Sequence, residues 1–190
     1  MKTKLAMLVL AMSCTFAGSA MATTKAEYKA EKDRISADYK VNKKKCDDLK
    51  ANAKDICVAE AKGAEKVAKA EAEAAYQPSA KHTEAVAMAK GDAAYGTAKE
   101  KCDDFSGNAK DVCVKDAKAA HVKAKEDAKV AKVAADTTAS KSDKVADAKK
   151  DASKETREAD YKAAKERCDA LAGAPKDSCQ NDAKVKYGMK

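Results

Sequence analysis

Tryptophan is absent from the chain and aromatic residues make up only 4% of it, so a core built from large side chains is excluded. The apolar run near the start is too short to span a bilayer, and no later segment approaches the roughly 20 apolar residues of a transmembrane helix. There is no Gly-rich phosphate loop, no nucleophile-elbow serine and no His-Glu-x-x-His, which leaves no recognisable phosphate, acyl-transfer or zinc-protease chemistry. Nor is there a basic run. Lysines alternate with acids and few aromatics are available for base stacking, so specific nucleic-acid recognition is not expected.

What is present is alanine and charge. Charged residues make up 37% of the chain, and most of its 45% hydrophobic residues are alanine. Alanine, lysine and glutamate favour helix, although such hydrophilicity would also suit a disordered chain. The N-terminus reads as a secretory signal over residues 1–22: Lys2 and Lys4, an apolar run from Leu5 to Ala11, and Ala20-Met21-Ala22 as a small-residue cleavage site. The residues before Cys14 do not suit lipidation, so an ordinary cut after Ala22 is expected. Loss of Lys2 and Lys4 takes the formal charge from +8 to +6.

An internal repeat dominates the remainder. The segment from Tyr39 through Cys46-Asp47-Asp48-Leu49 to Asn52-Ala53-Lys54-Asp55-Ile56-Cys57 returns as Tyr95, Cys102-Asp103-Asp104-Phe105 and Asn108-Ala109-Lys110-Asp111-Val112-Cys113. It returns again as Tyr161, Cys168-Asp169-Ala170-Leu171 and Ala174-Pro175-Lys176-Asp177-Ser178-Cys179. In each copy a tyrosine precedes the first cysteine by seven positions, and the second cysteine follows the first by eleven.

Between the cysteines one helix stops and another starts. Gly107 and Gly173 suit the left-handed residue just past a helix end, while Asn52 and Asn108, each followed three residues later by aspartate, read as N-caps. Pro175 suits the first turn of a returning helix. A two-residue turn between helices ending near Lys50 and starting near Ala53 would place Cys46 and Cys57 level, each about 6 Å above the turn. Tyr95, Ala98, Cys102 and Phe105 form one face of the outgoing helix, and Cys113, Ala117, Ala120, Ala124 and Ala131 an alanine stripe on the returning one. Small side chains permit close helix approach.

The expected fold is therefore all-α, with three tandem helical hairpins in an elongated or partly flexible arrangement. The hairpins occupy 23–77, 78–135 and 144–190, with a linker at 136–143, and the last has the shortest returning arm. Six cysteines allow fifteen complete pairings. The repeat selects Cys46 with Cys57, Cys102 with Cys113 and Cys168 with Cys179, a disulfide framework suited to an oxidising compartment. Ten intervening residues do not suit the Cys-x2-4-Cys pairs of zinc sites or the Cys-x-x-Cys of redox enzymes. His82 and His121 belong to no cluster, and His121 is expected on the surface. No catalytic, metal or cofactor-binding residues are assigned.

The repeated Lys-Cys-Asp-x-Leu/Phe and Asn-Ala-Lys-Asp-x-Cys segments resemble those of small secreted Ala/Lys-rich envelope proteins of Gram-negative bacteria, often labelled TolA-like. TolA itself has an uncleaved membrane helix and a terminal globular domain, neither visible here, so its role is not implied. Ala124-Lys125-Glu126-Asp127-Ala128-Lys129 and Asp147-Ala148-Lys149-Lys150-Asp151-Ala152 are similar to repeats of late-embryogenesis-abundant stress proteins, which generally lack cysteine pairs. Two functional expectations follow. One is a non-enzymatic periplasmic or secreted protein with a structural or interaction role in the cell envelope, meeting an unknown envelope protein or an anionic envelope surface. The other is a desiccation or osmotic-stress protectant.

Overall fold

A computed structural model describes residues 23–136 and 141–190. The signal segment 1–22 with Cys14 and the Thr/Ser-rich part of the linker at 137–140 lie outside the described residues. Six α-helices follow in order: α1 Lys25–Lys45, α2 Ala51–Tyr76, α3 Ala80–Cys102, α4 Gly107–Ala135, α5 Lys141–Cys168 and α6 Ala174–Tyr187. Among the described residues there is no strand, and each helix packs only on its neighbours in the chain. The hairpins thus stand side by side as a row of six antiparallel helices, joined through α2 with α3 and α4 with α5. The three cysteine-bearing turns lie along one edge of the row. The expected linker is helical from Lys141 onward.

Local sequence explains several helix ends. Thr24 and Glu27 form a capping box at the start of α1, each side chain satisfying the other's backbone N–H. Pro78 sits in the break between α2 and α3, and Ser79 then caps α3 by accepting from the His82 N–H at 3.1 Å. Gly188, left-handed at φ 64°, ends α6.

The repeated turn departs from the expected two-residue form. In all three copies the first cysteine lies at the end of its helix, and its carbonyl accepts a bond from the N–H three residues on: Leu49 and Phe105 at 3.1 Å, Leu171 at 3.0 Å. The chain reverses through a residue of positive φ where the returning helix begins, Ala51 at φ 49°, Gly107 at φ 55° and Gly173 at φ 60°. The glycines of the second and third hairpins therefore open the returning helix rather than close the outgoing one. Asn52 and Asn108 do not cap; they lie inside the first turn of α2 and α4. The cysteines still meet, with Cα–Cα distances of 5.6, 5.5 and 5.7 Å, because the longer connection lets a cysteine at the end of one helix face a cysteine well inside the next.

The interior is thin. Among the described residues the buried apolar ones are Ile35, three cysteines and six alanines. Burying a methyl group contributes on the order of 0.8 kcal/mol, so alanine faces gain stability mainly by bringing backbones close. Gly63 shows the limit of that approach, since a Cβ there would fall 2.8 Å from the Ala93 Cβ and 3.2 Å from its Cα. Within the second hairpin the Ala124 methyl faces Gly91. The alanine stripe on α4 thus has a close-packed counterpart, but Phe105 does not belong to the seam: it is 53% exposed in the turn.

Ala51 holds a left-handed conformation that costs an L-residue about 1–2 kcal/mol. Ala51→Gly should therefore raise the melting temperature, with a net gain of about 1 kcal/mol after the added unfolded-state freedom. Gly107→Ala should lower stability by a similar amount. Thermal denaturation of the oxidised protein followed by circular dichroism checks both; equal melting temperatures for Ala51→Gly and the parent would contradict this account of the turn.

Candidate functional site: the stapled edge

The six predicted site residues come together in pairs as disulfides, Cys46–Cys57, Cys102–Cys113 and Cys168–Cys179. The first cysteine of each pair is buried to 1% exposure or less, and the second is partly buried. Each staple is flanked by an ion pair at the same register. Lys54 meets Asp47 and Lys110 meets Asp103 at 2.9 Å, and Lys176 meets Asp169 at 2.8 Å. The repeated aspartate after the first cysteine and the repeated lysine thus act together, tying the end of the outgoing helix to the start of the returning one. The Lys54 ammonium, through its hydrogen bond, holds the Asp47 carboxyl below the usual carboxylate range, and Lys176 does the same to Asp169.

The repeated asparagine joins one hairpin to the next. Asn52 Nδ2 donates to the Glu100 carbonyl at 2.8 Å and to Asp104 Oδ1 at 2.8 Å. Asn108 Nδ2 donates to the Glu166 carbonyl at 3.0 Å. The Glu100 and Glu166 carbonyls each also accept from the N–H three residues on, Asp103 and Asp169 at 3.0 Å, so each asparagine adds a second bond at the helix end of the following hairpin. The corresponding residue of the third hairpin is Ala174, and among the described residues no further hairpin stands beside it. A second cross-hairpin contact also repeats: Lys101 lies 3.7 Å from Glu60, and Arg167 pairs with Asp116. Both contacts were missed in the sequence because asparagine in a turn also reads as a cap, and alternating charges also read as a solvated face. The signal that separates these readings is the loss of asparagine in the last copy.

Beside the staples, Leu49, Phe105 and Leu171 occupy one repeat position and are 41%, 53% and 44% exposed. Next to Phe105, an apolar groove runs over the middle hairpin between Ala98, Ala109, Val112 and Ala117. Farther from the turns, aromatic contacts join the helices. Tyr28 stacks on Tyr76 with ring centroids 4.6 Å apart, and its hydroxyl donates to Glu73. His121, expected on the surface, lies in the α3–α4 seam with its side chain 9% exposed. It stacks on Tyr95 at 4.7 Å, and its Nε2 lies 2.6 Å from Asp92 Oδ1. A carboxylate accepts, so Nε2 carries the proton, while the buried Nδ1 has no partner. Its position four residues after Ala117 on the alanine stripe was the sequence sign that it faces inward. Among the described residues no group of three or more His, Cys, Asp or Glu side chains is arranged to hold a metal ion.

No protein-family model, curated protein or solved structure matches the chain. The geometry of the stapled edge therefore carries the functional argument by itself.

Replacing Asn108 by alanine should cost about 1 kcal/mol, the net worth of one hydrogen bond. The loss should be local. Hydrogen exchange should quicken around the end of α5 and leave the first hairpin unchanged; uniform quickening throughout would contradict the assigned contact.

The Asp47 and Asp169 pairs make a second prediction. Because these carboxyls titrate below their unfolded values, their contribution is complete above the ordinary carboxylate range and disappears as the pH falls through the lowered folded values. The melting temperature should fall between about pH 5 and pH 2. The fall should be shallower in a Lys54→Met/Lys176→Met protein, in which neither carboxyl is held down.

Proposed function

We propose that this chain is an exported, non-enzymatic helical scaffold that resides in an oxidising compartment, the periplasm or the extracellular space, and presents helix faces to other components of the cell envelope. The observation that carries this reading is the triple staple. Three disulfides at one register, each with a buried cysteine, stabilise a fold with almost no large apolar interior, and such bonds persist in oxidising compartments and are rare in reducing ones. The secretory pattern at residues 1–22 supports the same placement. Among the described residues no helix is long and apolar enough to cross a membrane. The long charged faces and the exposed apolar residues at the turns suit contact with a protein partner better than enclosure of a small substrate.

The alternative is a stress protectant, which the alanine- and lysine-rich stretches of α4 and α5 favour. Such a chain would be largely unfolded in water and would gain helix on drying.

Circular dichroism of the mature protein separates the two. A scaffold should be strongly helical in dilute buffer when oxidised and should lose much of that signal on reduction, because isolated alanine-rich helices are marginal in water and each staple contributes up to roughly 3 kcal/mol. Low helicity in the oxidised protein would overturn the scaffold reading in favour of the protectant.

A further inference from the structure

The contact between successive hairpins has two halves, and among the described residues each end of the row leaves one half unused. The giving half lies on the returning helix: the asparagine in its first turn, the acid three residues after its cysteine (Glu60, Asp116), and a small residue six after it (Gly63, Ala119). The receiving half lies on the next outgoing helix: the carbonyl two residues before its cysteine, the base just before that cysteine (Lys101, Arg167), and an alanine nine before it (Ala93, Ala159). On α1 the receiving half is complete, with the Lys44 carbonyl, Lys45 and Ala37. On α6 the giving half retains its acid as Asp182. Among the described residues neither Lys45 nor Asp182 is in an ion pair, and both are exposed.

The end helices also expose apolar side chains at positions that the inner helices use between hairpins. Val41 on α1 is 56% exposed, whereas its counterpart on α5, Ala163, is 2% exposed. Val185 on α6 is 82% exposed, whereas Ala119 in the same place on α4 is 7% exposed.

We propose that these two end faces dock on each other between copies, α6 of one molecule against α1 of the next, so that the row of hairpins continues head to tail through a heterologous interface. The occupant of the α1 face is then a second copy of this chain, chosen by continuity with the contact already made twice within it and by the complementary charges of Lys45 and Asp182. Two residues set the strength of this contact. Ala174 cannot give the asparagine bond, and Val185 is larger than Gly63 or Ala119 and seats the helices farther apart. The association is accordingly weaker than that between hairpins, reversible and sensitive to salt. The inference rests on the scaffold reading and names a partner for it.

Sedimentation equilibrium of the oxidised mature protein tests it, with circular dichroism on the same samples. The average mass should climb with concentration and fall as salt is added. Lys45→Glu and Asp182→Lys should each weaken association about fivefold or more, since each places like charges at the contact. An equimolar mixture of the two variants should regain wild-type association, because every α6–α1 contact between unlike partners again joins opposite charges. A helical protein that stays monomeric, a dimer indifferent to both reversals, or a mixture no better than its components would each overturn the head-to-tail contact and leave the scaffold standing. Low helicity would instead strike at the scaffold itself.

Discussion

A pair of alanine faces gives two helices little reason to stay together, since each methyl removed from water contributes on the order of 0.8 kcal/mol and ordering each residue costs at least as much. Everything else in this fold answers that constraint. A disulfide across each turn removes conformations from the unfolded chain instead of adding contacts to the folded one, which suits a sequence with few large side chains. The small residues then serve a second purpose: Gly63 against Ala93 and Gly91 against Ala124 bring backbones close, where dispersion between many atoms compensates for the lack of large groups.

The staples do not act separately. Cys46–Cys57 fixes the start of α2, whose Asn52 holds the end of α3; that end carries Cys102, bonded to Cys113 in α4, whose Asn108 holds the end of α5 beside Cys168. Covalent bonds and hydrogen bonds thus alternate along one edge of the row. Three local hairpins become an array in which each unit is positioned by its neighbour, as in other repeat architectures where stability is a sum of unit and nearest-neighbour contributions. Among the described residues the middle hairpin is held from both sides and the other two from one.

Much of this was legible from the residues. The all-α hairpins, the pairing of the six cysteines and the break at Gln77-Pro78-Ser79 follow from periodicity, repeat spacing and helix propensity, which are local properties. The turn was not, because Gly107 and Gly173 can serve either a helix end or the reversal that precedes the next helix, and Ala51 at the same position gives no sign of a left-handed backbone. His121 was misplaced for a related reason: polarity outweighed its position on the alanine stripe, and a tyrosine ring together with Asp92 makes the inward position tolerable. How the hairpins stand beside one another depends on single hydrogen bonds between distant segments, and no pattern within one segment reports those. Comparison of the three copies gives one sign of them, the asparagine that the first two share and the third replaces with Ala174.

The same comparison distinguishes residues that stabilise from residues that specify. Exposed ion pairs such as Lys101–Glu60 contribute roughly 0–1 kcal/mol each, too little to hold helices that alanine alone does not hold. Their recurrence at one position in successive hairpins instead fixes register, since a helix slid by one turn along its neighbour would lose both the ion pair and the asparagine bond. Register is what a row of nearly featureless alanine faces lacks most, because alanine meets alanine equally well after a slip. The staples set the register inside each hairpin and the charges with Asn52 and Asn108 set it between hairpins. An Ala/Lys-rich sequence of this kind thereby has one arrangement of its faces to present, which is what a scaffold requires of its surface.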